Sequence, residues 1–293
     1  MNASKVTFGE IMAVLPDLYQ TCYRGTVIFG LLEKISRQVT RDSGFARNEG
    51  ENFGPFGQIT LPVVSMGAIS SLDLFGLDEL VLFSIYSRSR ERYKSFADLG
   101  ANIGLHSILG ARLGWEISAY EPDPDTFARM SSNAALNGAL ISANQCAVGG
   151  KAETRSFTRV NGNRTGSHLS GAKPDPYGEL ELFPVEVKNF VEILRRHDFL
   201  KIDVEGAEAE LFCSSSASDW AQSEAVMEIG SADNASEIFS HLKKCPGMNM
   251  FAQKIGWGKV TSLADLPTSH REGSVFISSE PQAPFLPTLS LGG

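Results

Sequence analysis

Phe96-Ala97-Asp98-Leu99-Gly100-Ala101-Asn102-Ile103-Gly104 is the stretch that decides how the rest of the chain is read. A short apolar run ends in an acidic residue and passes through glycine-spaced positions into a helical segment. Gly100 permits a tight turn and a close backbone approach by a nucleotide-type ligand, and Gly104 lets the following helix pack on the strand. Asn102 stands where a dinucleotide-binding loop carries its middle glycine. That disfavours a pyrophosphate on the loop and suits a cofactor without phosphate.

Downstream, short apolar runs alternate with amphipathic segments, the pattern of a parallel sheet covered on both faces. Strands are predicted at 95–99, 116–120, 141–148, 199–204, 225–229, 248–253 and 274–278, and helices at 103–113, 124–137, 207–213 and 235–244. The fold class is therefore Rossmann-like α/β with helices on both faces. Upstream, Phe8, Ile11, Met12 and Leu15 at helical spacing suggest a mainly helical appendage over 1–58, ahead of a domain over 59–280. Within that domain, 151–190 is polar, rich in Gly, Pro and Asn, and too long for an ordinary connection, so it reads as a functional insertion. The end, 281–293, has no periodic face and is expected to be a flexible tail.

Composition narrows the function. Acidic residues outnumber basic ones by 34 to 26, for a formal charge of -8, and no basic run offers a footprint for nucleic acid. No apolar run approaches the roughly 20 residues that span a bilayer. Cys22, Cys146, Cys213 and Cys245 are scattered, with neither a disulfide framework nor a metal-binding spacing, so no metal and a reducing cytoplasm are expected.

Two further segments supply chemistry. Ala119-Tyr120-Glu121-Pro122 puts an acid at the end of the second strand, where Rossmann-like folds bind ribose hydroxyls. Lys201-Ile202-Asp203-Val204-Glu205-Gly206-Ala207-Glu208 ends the fourth strand in alternating acids, so Asp203 points toward the same crevice as Asp98 and Glu121. Three carboxylates there suit a cationic sulfonium cofactor. Glu208 reads as a helix N-terminal acid. His106 in the first helix, and Arg164, Ser167 and His168 in the insertion, are candidates to face a methyl acceptor, and Glu228 at the end of the fifth strand is a candidate to line the crevice.

Taken in order, DLGANIG, YEPDPDTF, NAALNG and LKIDVEGAE resemble the FkbM-type family of S-adenosylmethionine-dependent methyltransferases. The resemblance implies a seven-strand methyltransferase sheet, S-adenosyl-L-methionine as cofactor, and methyl transfer to a hydroxyl of a sugar, glycan or secondary metabolite. It also implies that Asp98, Gly100, Asn102 and Gly104 surround the methionine half of the cofactor, that Glu121 takes the ribose, that Cys146 walls the adenine, and that Asp203 and Glu205 lie at the transfer site. Related sequences carry Thr-Leu-Asp where this chain has Val187-Lys188-Asn189, so no role carries over there. Three alternatives stay open: an N-methyltransferase on the same fold, a nicotinamide oxidoreductase, and a non-catalytic interaction protein. The acceptor's identity and the oligomeric state are not legible in the sequence.

Overall fold

The computed structural model describes residues 5–67, 69–162, 166–172 and 179–286. Its helices are α1 (Phe8–Val14), α2 (Val27–Asp42), α3 (Leu77–Arg88), α4 (Leu105–Arg112), α5 (Pro124–Leu136), α6 (Phe190–Leu194), α7 (Glu208–Cys213) and α8 (Ala232–Leu242). A small hairpin joins β1 (Glu51–Asn52) to β2 (Gln58–Ile59). The main sheet contains β3 (Ser95–Leu99), β4 (Glu116–Tyr120), β5 (Ile141–Asn144), β10 (Phe199–Ile202), β11 (Glu224–Glu228), β12 (Asn249–Ala252), β13 (Gly258–Lys259) and β14 (Ser274–Ser278). Its strand order is β13-β12-β14-β11-β10-β3-β4-β5, parallel from β11 to β5 and antiparallel on both sides of β14. All seven expected strands are present, and the two-residue β13 extends the edge.

The third expected strand divides. Cys146 N–H donates to the Asn144 carbonyl at 3.0 Å, and this tight turn directs β6 (Ala147–Gly149) into a second sheet with β7 (Glu153–Val160), β8 (His168–Leu169) and β9 (Leu180–Asn189), ordered β6-β9-β7-β8. The insertion's β7, β8 and β9 thus pair antiparallel and, with β6 added parallel to β9, enclose a small core of Ala147, Phe157, Leu169, Val185 and Val187. Arg164 lies outside the described residues.

Alternation along the strands sends Phe96, Phe199, Val226 and Phe276 to one face of the main sheet, and Leu99, Leu200, Ile202 and Met227 to the other. The first face shares one buried cluster with Phe8, Ile11, Phe45, Phe53 and Phe75. An appendage is expected over residues 1–58; the described part of them, with Phe45 stacked on Phe75 at 4.3 Å, is instead a layer of the domain core. The expected flexible tail is also docked over its first residues. Ala283 and Phe285 are buried, and Phe285 meets Tyr19, Trp257 and Phe276 edge-on. Positions 287–293 lie outside the described residues.

Candidate active site

The turn after β3 holds three left-handed residues, Gly100 (φ +76°), Asn102 (φ +50°) and Gly104 (φ +87°). Gly100 and Ala101 both donate to the Tyr120 carbonyl at 3.0 Å, which ties this turn to the end of β4. A Cβ on Gly100 would sit 1.8 Å from the Asp203 carbonyl oxygen, so the missing side chain makes room for the end of β10 as well as for a ligand. A Cβ on Gly104 would sit 2.8 Å from Met130 Cγ, so this glycine admits α5.

The adjoining cleft, counted together with the open solvent at its mouth, holds about 660 Å³ of empty space. Gly100, Asn102 and Glu121 line one side, and Asp203 and Glu205 stand at one end. Glu121 is buried, and its two oxygens accept from Asn102 N–H and Asp123 N–H, each at 2.9 Å. Burial raises its carboxyl to about 7, against the lowering effect of those two hydrogen bonds. A carboxylate oxygen has two acceptor sites, so each keeps capacity for a further donor. Cys146, Ala147 and Val148 form an apolar wall that the insertion completes with Phe157 and Leu169. Burial, with Glu186 nearby, pushes the Cys146 thiol up to about 11, so it is a neutral wall and not a nucleophile.

Arg159 of the insertion holds this wall in place. Its guanidinium pairs with Asp123 at 2.5 Å and Glu181 at 2.8 Å, while Asp123 caps α5 through Asp125 N–H and Thr126 N–H. The described residues of the insertion line the same cleft as Glu121 and Cys146, through Phe157, Ser167 and Leu169.

Register explains the acidic end. Asp98 is paired with Lys201, and β10 runs beside β11 so that Ile202 meets Met227. One residue further, Asp203 and Glu228 stand side by side on the same face as Lys201. Lys201 is 8% exposed, with its ammonium 3.0 Å from Asp203 Oδ2, 3.4 Å from the Gly100 carbonyl and 3.8 Å from Asp98 Oδ1. Burial alone would lower its pKa, but Asp203 and Asp98, with Glu79 beyond, reverse that and raise it, so the ammonium stays charged. Asp98 itself lies under the turn and not in the cleft, with Oδ2 accepting from Ser107 Oγ at 2.6 Å.

Neither candidate histidine lines the cleft. His106 sits between α3 and α4, with Nδ1 3.0 Å from the Tyr86 hydroxyl and Nε2 3.1 Å from Glu79 Oε2. Ser167, just before β8, and Leu169 on it face the cleft, so alternation turns the buried His168 away, and its Nδ1 donates to the Gly166 carbonyl at 2.8 Å. Sequence reasoning missed Lys201, Glu79 and Arg159. A lysine inside a run of otherwise apolar strand residues was the available signal for the first.

Comparison with known proteins matches residues 98–246, about half of the chain, to the Methyltransferase FkbM domain.

The chain belongs to the FkbM methyltransferase family.

A curated relative, Methyltransferase sdnD of Sordaria araneosa, is 30% identical over 42% of this chain, and the match spans 61% of that relative's length. Among solved structures, a T. thermophilus 16S rRNA methyltransferase in complex with AdoMet and guanosine is 12% identical, with a TM-score of 0.37 over 75% of this chain and 46% of that one. An SAH-bound Podospora anserina methyltransferase is 11% identical, with a TM-score of 0.33 over 68% of this chain and 77% of that one.

S-adenosylmethionine is the cofactor of the FkbM methyltransferase family, and the cleft's chemistry fits it. The spare acceptor capacity of Glu121 suits a ribose diol, the wall from Cys146 to Leu169 suits a flat base, and the acids at Asp203 and Glu205 suit a cation. When bound, the cofactor supplies a methyl group made electrophilic by its sulfonium.

Two pH effects follow from Glu121. Its carboxyl titrates at about 7 in the fold against an ordinary 4.5, so between those values the folded protein holds a proton that the unfolded chain has released. This group's contribution to stability therefore falls as pH rises through that window. Diol donors favour the ionised form, so affinity for adenosylhomocysteine is expected to rise from pH 6 to pH 8, with proton release on binding. Calorimetry in buffers of different ionisation enthalpy measures both. Glu121→Gln should flatten the pH dependence and weaken binding roughly tenfold at pH 8, the worth of one charge-assisted hydrogen bond.

Proposed function

We propose that this FkbM methyltransferase methylates a hydroxyl oxygen of a small polar acceptor such as a sugar, a glycan or a secondary metabolite. The observation that carries this reading is the acidic end of the cleft, where Lys201 fixes Asp203 through Oδ2. A carboxylate held in this way accepts a hydrogen bond from an incoming hydroxyl and orients its oxygen for in-line attack. An Asp tied to a buried ammonium serves as a positioning group more readily than as a base. The four cysteines are free thiols, which supports a reducing, cytoplasmic setting. Among the described residues, no helix is long and apolar enough to cross a membrane.

The test is product analysis. The protein is incubated with isotope-labelled S-adenosylmethionine and matched sets of hydroxyl and amine acceptors, and the labelled products are resolved by mass spectrometry and NMR. Methyl ethers are expected; labelled N-methyl products alone would overturn the reading in favour of the amine alternative. Asp203→Asn keeps the shape of the side chain but loses its charge. It should retain cofactor affinity within about threefold and lose about a hundredfold in kcat, the scale of a misplaced acceptor.

A further inference from the structure

Resting on the O-methylation reading, we propose that Glu228 is the catalytic base that takes the acceptor's hydroxyl proton, while Asp203 positions the hydroxyl. The parallel register of β10 and β11 places Glu228 beside Asp203, one strand beyond the residues that line the cleft. Asp203 is engaged by Lys201 at 3.0 Å and Asp98 by Ser107 at 2.6 Å. Among the described residues, the Glu228 carboxyl takes no hydrogen bond and no ion pair, and the residue is half-buried. An oxygen that has no partner among the described residues, beside one already held by a cation, is the better placed of the two to receive a proton.

The groups around Glu228 point the same way. Asp203 and Glu205 face it from the end of β10 and the turn that follows, Glu79 faces it from α3, and Lys201 is the opposing cation. β14 contributes Ser274, which is uncharged and in register with Glu228. Burial first, and then the three carboxylates, raise the Glu228 carboxyl well above its ordinary range despite Lys201. A base is most effective when its proton affinity lies near the working pH. In the reaction, the acceptor oxygen forms its bond to the methyl carbon as the carbon–sulfur bond breaks. Sulfur keeps that electron pair and becomes a neutral thioether, and the hydroxyl proton ends on Glu228.

Two measurements test this on the full chain. The first needs no acceptor: difference infrared titration of wild type against Glu228→Gln, with adenosylhomocysteine bound. A protonated-carboxyl band that is absent from the variant and persists with rising pH beyond the ordinary glutamate range is expected. A band already lost by about pH 5, within that ordinary range, would overturn the proposal. The second is the pH–rate profile on a methylated hydroxyl acceptor. Wild-type kcat should rise with pH through the same titration; Glu228→Gln should lose about 10²- to 10⁴-fold and flatten that limb, with adenosylhomocysteine affinity unchanged within about twofold. Glu228→Asp should restore part of the rate and keep the limb. A Gln variant with wild-type rate and limb would overturn the proposal. Failure of every hydroxyl acceptor with wild type would instead sink the O-methylation reading, and the infrared titration would still decide where Glu228 holds its proton.

Discussion

Gly100→Ala is expected to lower S-adenosylmethionine affinity by at least about a hundredfold. The new Cβ would lie 1.8 Å from the Asp203 carbonyl oxygen, a backbone atom that no rotamer change can move. Relief requires the ends of β3 and β10 to separate, and that separation displaces the turn, Asp203 and the Lys201 contact to the Gly100 carbonyl together. The left-handed backbone adds about 1–2 kcal/mol of its own. Gly114 separates the two costs. It has φ +88°, and a Cβ there would meet nothing within 4 Å, so Gly114→Ala carries the backbone cost alone. Calorimetric titration and thermal melting of both variants are the measurements. Gly114→Ala should melt slightly lower and bind normally. Normal binding by a folded Gly100→Ala protein would mean that the contact between β3 and β10 does not shape the cleft.

Lys201→Met should cost about 3–5 kcal/mol of stability at neutral pH, because removing the buried cation leaves the fully buried Asp98 carboxylate without its counter-ion. Here two carboxylates, Asp98 and Asp203, lose the same cation. Methionine fills similar space, so the loss is electrostatic and not a cavity effect. Denaturant melts of wild type, Lys201→Met and the double variant Lys201→Met/Asp203→Asn at pH 7 measure this, and neutralising one carboxylate should recover part of the deficit. A double variant no more stable than Lys201→Met alone would assign the lysine a packing role. Turnover should fall with stability, because the positioning of Asp203 depends on the same 3.0 Å contact.

The parts of the fold that are legible in the sequence are those fixed by neighbours in the chain. The run from Ser95 to Leu99 and its glycine turn, Glu121 after β4, and the alternating acids after β10 are local patterns, and the strands fall within a few residues of where periodicity places them. What stays hidden depends on distant partners. Phe8 reads as the face of an appendage because Phe75, which it packs against, is far along the chain. Gly100 reads as making room for a ligand, yet its nearest obstruction is a carbonyl 103 positions later, at Asp203. His106 and His168 are attractive as titratable groups near or within the functional segments. Their directions are set by Tyr86 and Glu79 in the first case and by strand alternation in the second. The insertion's polarity reads as a loop because only a few of its residues, Phe157, Leu169, Val185 and Val187 among them, are needed to close a small two-layer contact.

The position of β14 bears on how the protein is made. It is the last strand among the described residues, yet it lies between β11 and β12, and β12 and β13 join the sheet through it. During synthesis the parallel block from β3 to β11 can assemble as it emerges, but its β11 edge stays open, a row of unpaired amides and carbonyls awaiting a partner. At about 5–20 residues per second, the roughly 45 positions between the end of β11 at Glu228 and the start of β14 at Ser274 leave that edge uncovered on the ribosome for a few seconds. A nascent chain stalled in this interval would display the parallel block without its final strand, and chaperone capture should be concentrated there.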